Sequence, residues 1–274
     1  MKLRCGRFEL SLERPLVMGV LNVTPDSFSD GGRYFGHERA IARARAMVEE
    51  GADLIDIGGE STRPGAAPVS EDEELRRVLP VIEALHAAPV PLSVDTRRPR
   101  VMRAALAAGA AMVNDVGALR APGALEAVAP GGCAVCLMHM QGQPATMQQA
   151  PHYADVVGEV KDFLRARVAA CIEAGIARER IVIDPGFGFG KTLAHNVALL
   201  ARLGELADLG VAVLAGLSRK SMLGALLGRP QADRGAASLA AALLAAGRGA
   251  KILRVHDIRE TRDALAVWQA IATP

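Results

Sequence analysis

Polar side chains of a few types follow a series of short apolar runs along the chain. Carboxylate and amide residues follow the earlier runs, whereas cationic residues gather after the last two. In chain order these residues are Asn22, Asp95, Asn114 with Asp115, His139, Asp184, the run Ser218–Ser221, Arg254 and His256. Parallel strands that end at one edge bring such residues together. We therefore predict a shared polar pocket rather than an ordinary solvent boundary.

The residue types in this pocket predict a ligand with two chemically different halves. Asp95, Asn114 and Asp184 supply acceptors and amide donors, which suit the amino and lactam edges of a flat nitrogen heterocycle. The cations after the last two runs suit phosphate or carboxylate groups. Asn22 offers a neutral oxygen ligand for a phosphate-bound Mg²⁺.

The apolar runs themselves set the fold prediction. Each is too short for a helix, and without alternation it suits a strand buried on both faces. The runs are Val17–Leu21, Leu54–Ile57, Leu92–Val94, Ala111–Val113, Ala134–Met138, Ile181–Ile183, Val211–Ala215 and Ile252–Val255. Helical patterns separate them without a break in composition. We predict a single-domain (β/α)₈ TIM barrel over residues 1–274, with an open doubly wound sheet as the structural alternative.

Two helical patterns carry specific expectations. Pro80 lies inside an apolar stripe and should kink or interrupt the helix there. Asp257 is the predicted N-cap of the last helix. The apolar residues of that helix, Leu265, Trp268 and Ile271, are predicted to face inward.

Composition excludes several classes of protein. The length of 274 residues suits an α/β barrel, which needs about 250. A net charge of +2 without Lys/Arg blocks argues against nucleic-acid binding. No apolar stretch is long enough for a membrane span, and the charged first residues do not fit a signal peptide. We therefore expect a cytoplasmic protein that binds no membrane.

Two motifs resemble functional ones, a CxxC pair and a P-loop, but their details argue against those functions. Cys133 and Cys136 have CxxC spacing, but residues three apart on a strand point to opposite faces, which predicts buried structural thiols. The segment 184–192 (DPGFGFGKT) resembles a P-loop, but Pro185 stands where the first glycine should be. We expect its glycines to let the backbone approach a ligand, with Phe187 and Phe189 in apolar contact.

Residues 138–144 (MHMQGQP) and two long connections complete the candidate site. His139 could act as a base or as a structural hydrogen-bonding residue, and we leave it unassigned. Met138 is expected to lie against a flat ring. The connections 22–36 and 58–72 are rich in Gly and Pro and follow strands, so we expect them to act as lids at the C-terminal face.

Taken together, these motifs resemble those of the dihydropteroate synthase family of folate biosynthesis, which sulfonamide drugs target. The resemblance covers almost the whole chain. It is carried by GVLNVTPDSFSDGG (19–32), DIGGESTRPG (56–65), SVDT (93–96), NDV (114–116), DPGFGFGKT (184–192), GLSRKS (216–221) and RVHD (254–257). It implies a pterin-binding barrel that joins 6-hydroxymethyl-7,8-dihydropterin diphosphate to p-aminobenzoate.

The same resemblance implies roles for individual residues. The pterin would contact Asp95, Asn114, Met138, Asp184, Phe189 and Lys220. The diphosphate would contact Asn22, Arg63, Arg254, Val255 and His256, with Asn22 also holding Mg²⁺. The p-aminobenzoate would contact Thr62, Arg63, Pro64, Ser218, Arg219 and Ser221. Catalysis would depend on Asp95, Asp184, Lys220 and Arg254. Members of the family usually pair as homodimers.

Two other functions remain as alternatives. A methyltetrahydrofolate-binding corrinoid methyltransferase would need the pterin pocket but not the diphosphate cations or the STRP and SRKS segments, which are present. A non-catalytic pterin-binding paralogue should have lost loop residues such as Asn22, Thr62 and Arg63, which are intact.

Overall fold

Eight parallel strands close into a barrel in the computed structural model, which describes residues 1–24, 32–61, 69–143, 146–229 and 233–272. The barrel strands are β3 (Leu16–Asn22), β4 (Leu54–Gly58), β5 (Leu92–Asp95), β6 (Met112–Asp115), β7 (Ala134–Met138), β8 (Ile181–Asp184), β9 (Ala212–Ala215) and β10 (Ile252–Val255). Strand β10 pairs with both β9 and β3, which closes the barrel. The barrel prediction is confirmed, and the open-sheet alternative is wrong.

Helices connect successive strands and cover the outside of the barrel. They are α1 (Gly32–Glu49), α2 (Glu71–Ala84), α3 (Pro99–Ala107), α4 (Ala124–Val128), α5 (Val156–Glu173), α6 (Leu193–Ala201), α7 (Ser221–Leu226), α8 (Gly235–Gly247) and α9 (Ile258–Ala272). Short 3₁₀ helices at Arg178–Arg180 and Leu203–Leu209 precede β8 and β9. Helix α2 continues through Pro80, so the predicted interruption does not occur. Burial of Val78, Val81 and Ile82 offsets the loss of one backbone donor.

The core has two layers, one inside the barrel and one between the barrel and the helices. Cys136 belongs to the inner cluster and Cys133 to the outer one, so the two thiols diverge as predicted. Burial raises the pKa of both thiols. The four cysteines are buried and free, which fits structural thiols.

An N-terminal hairpin that the sequence reading missed lies outside the barrel sheet. Strands β1 (Lys2–Cys5) and β2 (Phe8–Ser11) pair antiparallel. Leu3 and Cys5 are buried in the inner cluster, so the hairpin packs against the barrel interior. The alternation of polar and apolar residues in Lys2–Cys5, followed by Gly6, was the available sequence signal.

Helix α9 only partly follows its predicted pattern. Leu265 is buried and Trp268 packs against the outer core, but Ile271 is 75% exposed, so its inward assignment is wrong. Val267, one turn earlier, is 64% exposed on the same helix. None of the helices that the structure describes is long and apolar enough to cross a membrane.

Candidate active site

The carboxyl ends of four neighbouring strands, β3 to β6, bring three predicted residues close together. In the barrel register Asn22 pairs with Gly58, Gly58 with Asp95, and Asp95 with Asn114. Gly58 has no side chain. A Cβ atom there would lie 3.9 Å from both Asn22 Oδ1 and Asp95 Oδ2, so these two oxygens border the same space.

On the other half of the barrel, Gly216 lies between two further predicted residues. A Cβ atom at Gly216 would lie 3.9 Å from Asp184 Oδ2 and 3.9 Å from Arg254 Cβ. Asp184 is buried at the end of β8, and Arg254 lies in β10. Small residues at positions 58 and 216 therefore leave space between the polar side chains at the C-terminal face.

Arg254 joins the two halves through a buried network whose centre is Asp56. Arg254 Nε donates to Asp56 Oδ2 at 2.6 Å, and Nη2 donates to Asp95 Oδ2 at 2.8 Å. Asn114 Nδ2 also donates to Asp56 Oδ2, at 2.9 Å. Asp56 is fully buried and was not assigned as a site residue from the sequence. Its position inside an apolar run, Leu-Ile-Asp-Ile, was the signal, because a lone carboxylate in a buried strand requires a partner.

The network changes the ionisation of its members. Burial, reinforced by the charge of Asp56 and opposed by Arg254, raises the pKa of Asp95 to about 7. Burial also raises the pKa of Asp184, although the Gly186 amide and the cations Lys220 and Arg254 oppose the shift. The pocket therefore holds acids whose protons are bound more tightly than in water.

An apolar wall adjoins these acids. Met138, which pairs with Asp184 in the sheet, forms a small cluster with Phe189, Met140 and other apolar residues. The ammonium of Lys220 lies 4.3 Å from the centre of the Phe189 ring, a cation–π contact. The structure thus brings the predicted pterin residues Met138, Phe189 and Lys220 together beside Asp184.

The run Ser218–Ser221 leads into α7, which begins at Ser221. Ser218 Oγ lies 3.0 Å from His256 Nδ1 and accepts a hydrogen bond from the His256 amide. Arg219 has a left-handed φ of 58° and pairs with Asp257 at the start of α9. Non-glycine residues with a left-handed φ, such as Arg219, often lie at functional sites. Ser221 is exposed in the first turn of α7.

A cavity of about 480 Å³ opens beside this run and reaches Asn22. Its lining contains three arginines and a histidine together with acids. These residues are Arg43, Arg219, Arg259 and His256, with Glu50, Asp257 and Glu260. Of the diphosphate residues predicted from the sequence, Asn22 and His256 line this cavity, and Arg254 and the buried Val255 belong to the adjacent strand β10.

The comparisons with known proteins decide the family. The sequence profile of the pterin-binding enzymes matches residues 18–256. The chain is 52% identical to dihydropteroate synthase of Escherichia coli K12, over 98% of this chain and 96% of that relative. The chain belongs to the dihydropteroate synthase family.

Solved structures of the family agree with this assignment. Xanthomonas albilineans dihydropteroate synthase with 4-aminobenzoic acid is 59% identical, with a TM-score of 0.93 over 100% of this chain and 98% of that chain. The same organism's enzyme in complex with 7,8-dihydropteroate is 57% identical, with a TM-score of 0.91 over 100% of both chains.

Part of the glycine-rich segment 184–192 departs from the sequence prediction. Phe187 is 1% exposed and lies in the outer core, so its predicted ligand contact is wrong. A methyl group at Gly186 would overlap the His139 carbonyl oxygen, so this glycine allows close approach to protein backbone rather than to a ligand. Buried His139 contacts Lys191 and aromatic rings, which supports the structural alternative.

Several loop residues of the family motifs lie outside the described residues. These lie at positions 62–68, which include Thr62, Arg63 and Pro64, and at positions 25–31 of the first long connection. The predicted lid role of the two connections concerns largely these positions. The described ends of the connections include the first turns of α1 and α2.

Arginine residues hold the described ends of the second connection. Arg98 Nη2 donates to the Val69 carbonyl at 2.6 Å and to Glu60 Oε1 at 3.1 Å. Arg77 Nη1 donates to the Gly59 carbonyl at 2.8 Å. Arg98 also pairs with buried Glu74. The sequence patterns did not predict this group, which anchors the described ends of the connection to α2 and α3.

Proposed function

We propose that the protein joins 6-hydroxymethyl-7,8-dihydropterin diphosphate to p-aminobenzoate and releases 7,8-dihydropteroate and diphosphate. It is a transferase of folate biosynthesis, as its relatives are. The observation that carries the proposal is the contact of Arg254 with both Asp56 and Asp95. This contact couples a cation suited to diphosphate with acids suited to a heterocycle in one pocket.

The pterin is proposed to bind at the level of Asp95, Asn114 and Asp184. The Asn114 amide and the two carboxyl groups offer donors and acceptors for the amino and lactam edges. Met138 and Phe189 offer an apolar surface for the ring, and Lys220 extends over the Phe189 face. This arrangement suits a flat ligand with polar edges.

The diphosphate is proposed to lie toward Arg254 and His256, on the side of the cavity beside Asn22. Arg254 is permanently charged, and its side chain is 21% exposed, so a ligand can reach it. Val255 lies between Arg254 and His256 in the chain, and its backbone is proposed to contact the diphosphate as well. Arg63, which the family resemblance adds, lies outside the described residues.

The reaction is proposed to proceed by dissociative displacement at the methylene carbon. The C–O bond to diphosphate breaks with its electron pair on oxygen, where Arg254 and Lys220 stabilise the developing charge. The electron-rich pterin and the carboxylates of Asp95 and Asp184 stabilise the positive charge left behind. The lone pair of the aromatic amine then forms the C–N bond, and the surplus proton leaves to solvent.

Mg²⁺ is proposed to accompany the diphosphate at Asn22. The described residues contain no cluster of three His, Cys, Asp or Glu side chains that could hold a metal ion. A single oxygen ligand fits Mg²⁺, which commonly keeps water and substrate phosphates as its other ligands. Asn22 Oδ1 borders the space left by Gly58, which fits such a ligand. When bound, Mg²⁺ would neutralise charge on the leaving group.

The p-aminobenzoate is proposed to bind where Ser218, Arg219 and Ser221 surround the start of α7. Arg219 carries a charge suited to the carboxylate, and Ser218 and Ser221 supply hydroxyl groups. In this structure the Arg219 guanidinium forms an ion pair with Asp257. Binding of a carboxylate there would therefore compete with an exposed ion pair of small net stability.

A homodimer is proposed through the exposed apolar residues of α8 and α9. Leu244 is 48% exposed on α8, and Val267 and Ile271 are more than half exposed on α9. These two helices pack against each other, so the residues lie on adjacent elements. Light scattering should show a dimer, and Val267→Glu should shift it towards a monomer; a monomeric wild type would contradict this proposal.

The activity is tested by diphosphate release. Purified protein is mixed with the pterin diphosphate, p-aminobenzoate and Mg²⁺, and diphosphate is measured with time. We expect release that requires p-aminobenzoate and matches the 7,8-dihydropteroate formed. Release that is independent of p-aminobenzoate, or no release, would contradict the proposed reaction.

A further inference from the structure

Lys191 is a buried lysine that the proposed reaction does not use. It occupies the P-loop-like segment 184–192, where a nucleotide-binding lysine would stand, yet it is only 3% exposed. Its ammonium donates to the carbonyl oxygens of Gly186 and Phe189, both at 3.0 Å. It also donates to His139 Nδ1 at 2.9 Å. The contacts of Lys191 are thus with the backbone of its own segment and with the segment after β7.

The segment 184–192 is also held by side chains of Gln148 and Tyr153 and by α6. The carbonyl oxygen of Gly190 accepts a hydrogen bond from Tyr153 Oη at 2.8 Å. Gln148 Nε2 donates to the Gly188 carbonyl. The Gly188 amide donates to Asn196 Oδ1 at 2.7 Å, at the start of α6. Lys191 is the basic residue of this set. Its amine donates hydrogen bonds to the carbonyls of Gly186 and Phe189, at the two ends of the turn that carries Phe189.

Burial determines the ionisation of the Lys191–His139 pair. Burial, together with the charge of Lys191, lowers the pKa of His139 to about 3, so the ring is neutral and Nδ1 can accept a hydrogen bond. Burial also lowers the pKa of Lys191 to about 7, although Asp184 opposes this shift. Even a neutral amine retains two N–H donors, so the contacts with Gly186 and Phe189 do not require the charge.

The turn held by Lys191 forms one wall of the pterin pocket. Phe189 lies in the cluster with Met138, and its ring contacts the Lys220 ammonium at 4.3 Å. A Cβ atom at Gly188 would lie 3.5 Å from Lys220 Cδ, so the turn also contacts the stem of that side chain. Any shift of the turn therefore moves the surface on which Lys220 rests.

We propose that Lys191 is a positioning residue that fixes Phe189 against Lys220 and thereby sets the affinity for the pterin substrate. It acts without touching that substrate. This proposal rests on the proposed pterin-binding function. Loss of the amine would leave the Phe189 carbonyl oxygen and His139 Nδ1 without this donor, whereas the Gly186 carbonyl would keep the hydrogen bond from the Phe189 amide. The turn would move to satisfy the buried groups left unpaired.

The first test replaces Lys191 by Met, which retains the length of the side chain and removes its donors. We expect the KM for pterin diphosphate, and its Kd by calorimetry, to rise about tenfold or more, a change typical of a buried polar group left without its hydrogen-bond donor. The KM for p-aminobenzoate should change little. Val81→Ala, which removes buried volume from α2 in the outer core, is the control for lost stability and should leave the pterin Kd unchanged.

The second test is a double-mutant cycle with Phe189→Ala. If Lys191 acts through Phe189, Lys191→Met should weaken pterin binding much less in the Phe189→Ala background than in the wild type. Should Lys191→Met fail to fold, Lys191→Gln retains an amide donor for one carbonyl and replaces it in both tests. An unchanged pterin Kd, or fully additive effects, would overturn the proposal. A wild type that binds no pterin diphosphate would instead refute the proposed function.

Discussion

Arg254 Nη2 donates a hydrogen bond to Asp95 Oδ2 at 2.8 Å across the mouth of the barrel. The two residues lie on β10 and β5, which are not neighbours in the sheet. The residue assigned to the leaving group therefore contacts a residue assigned to the heterocycle. Both also interact with Asp56, and the charges of Asp56 and Arg254 shift the pKa of Asp95 in opposite directions. Binding at one half of the substrate site is thereby coupled to the other half.

The ionisation of Asp95 should be visible in the pH dependence of stability. Its pKa in the folded protein is raised to about 7 from an ordinary value of 3.8, so the folded state binds this proton more tightly than the unfolded state. The resulting stabilisation is complete below pH 3.8 and is lost as pH rises through about 7. Asp95→Asn removes this contribution. Urea denaturation should therefore show a less negative slope of unfolding free energy against pH in the variant than in the wild type over this range.

The control for this measurement is Asp208→Asn. Asp208 is an exposed acid whose pKa is lowered by Lys161, so its linkage has the opposite sign. Its replacement should leave the slope between pH 4 and about 7 close to that of the wild type. Identical slopes for Asp95→Asn and the wild type would show that Asp95 does not hold a proton in this way.

Replacement of Arg254 by Ala should weaken both stability and substrate binding. The change leaves Asp56, which is fully buried, and Asp95 without their cation. Removing one partner of a buried ion pair costs about 3–5 kcal/mol, and the partial exposure of Arg254 favours the lower end. Denaturation and the KM for pterin diphosphate measure the two effects. Arg202→Ala breaks exposed ion pairs and should change stability little without altering KM.

Replacement of Lys220 by Ala should reduce kcat/KM on the order of 10²-fold if its charge acts in the transition state. The cation–π contact with Phe189 is worth only about 1 kcal/mol, so stability should fall little. Initial rates with both substrates test the expectation. Lys161→Ala, which removes a surface cation from α5, is the matched control. A wild-type rate for Lys220→Ala would remove this residue from the proposed mechanism.

The strands and most of the pocket could be predicted because local patterns encode them. An apolar run such as Leu92–Val94 is both a buried strand and the support of the polar residue that follows, Asp95. Asp56 was missed because it lies inside a run rather than at its end, so its role depends on Arg254, which is distant in the sequence. Pairings of this kind are set by barrel closure, which no local pattern records.

Helix faces and glycine roles were harder to predict for related reasons. Ile271 fits an inward stripe by spacing, but the core no longer extends to the end of α9, where it is exposed. The glycines of segment 184–192 were expected to approach a ligand. Gly186 and Gly190 approach the backbone after β7 instead, whereas Gly188 approaches the Lys220 side chain. These are contacts between segments that only the packed fold defines. The same sequence signal, a glycine that cannot accept a side chain, fits both outcomes.

Gly186→Ala tests which of these outcomes holds. Gly186 has a φ of 69°, and an added methyl group would overlap the His139 carbonyl oxygen, so backbone must move. Gly175 has a φ of 86° but no atom within 4 Å of an added Cβ, so Gly175→Ala carries the backbone strain alone. We expect that strain to cost about 1 kcal/mol. Gly186→Ala should cost several times as much and should also raise the KM for pterin diphosphate, because the moved turn carries Phe189. Equal losses of stability in the two variants would show that the contact with His139 is not tight, and the measurement is denaturation of both proteins alongside the wild type.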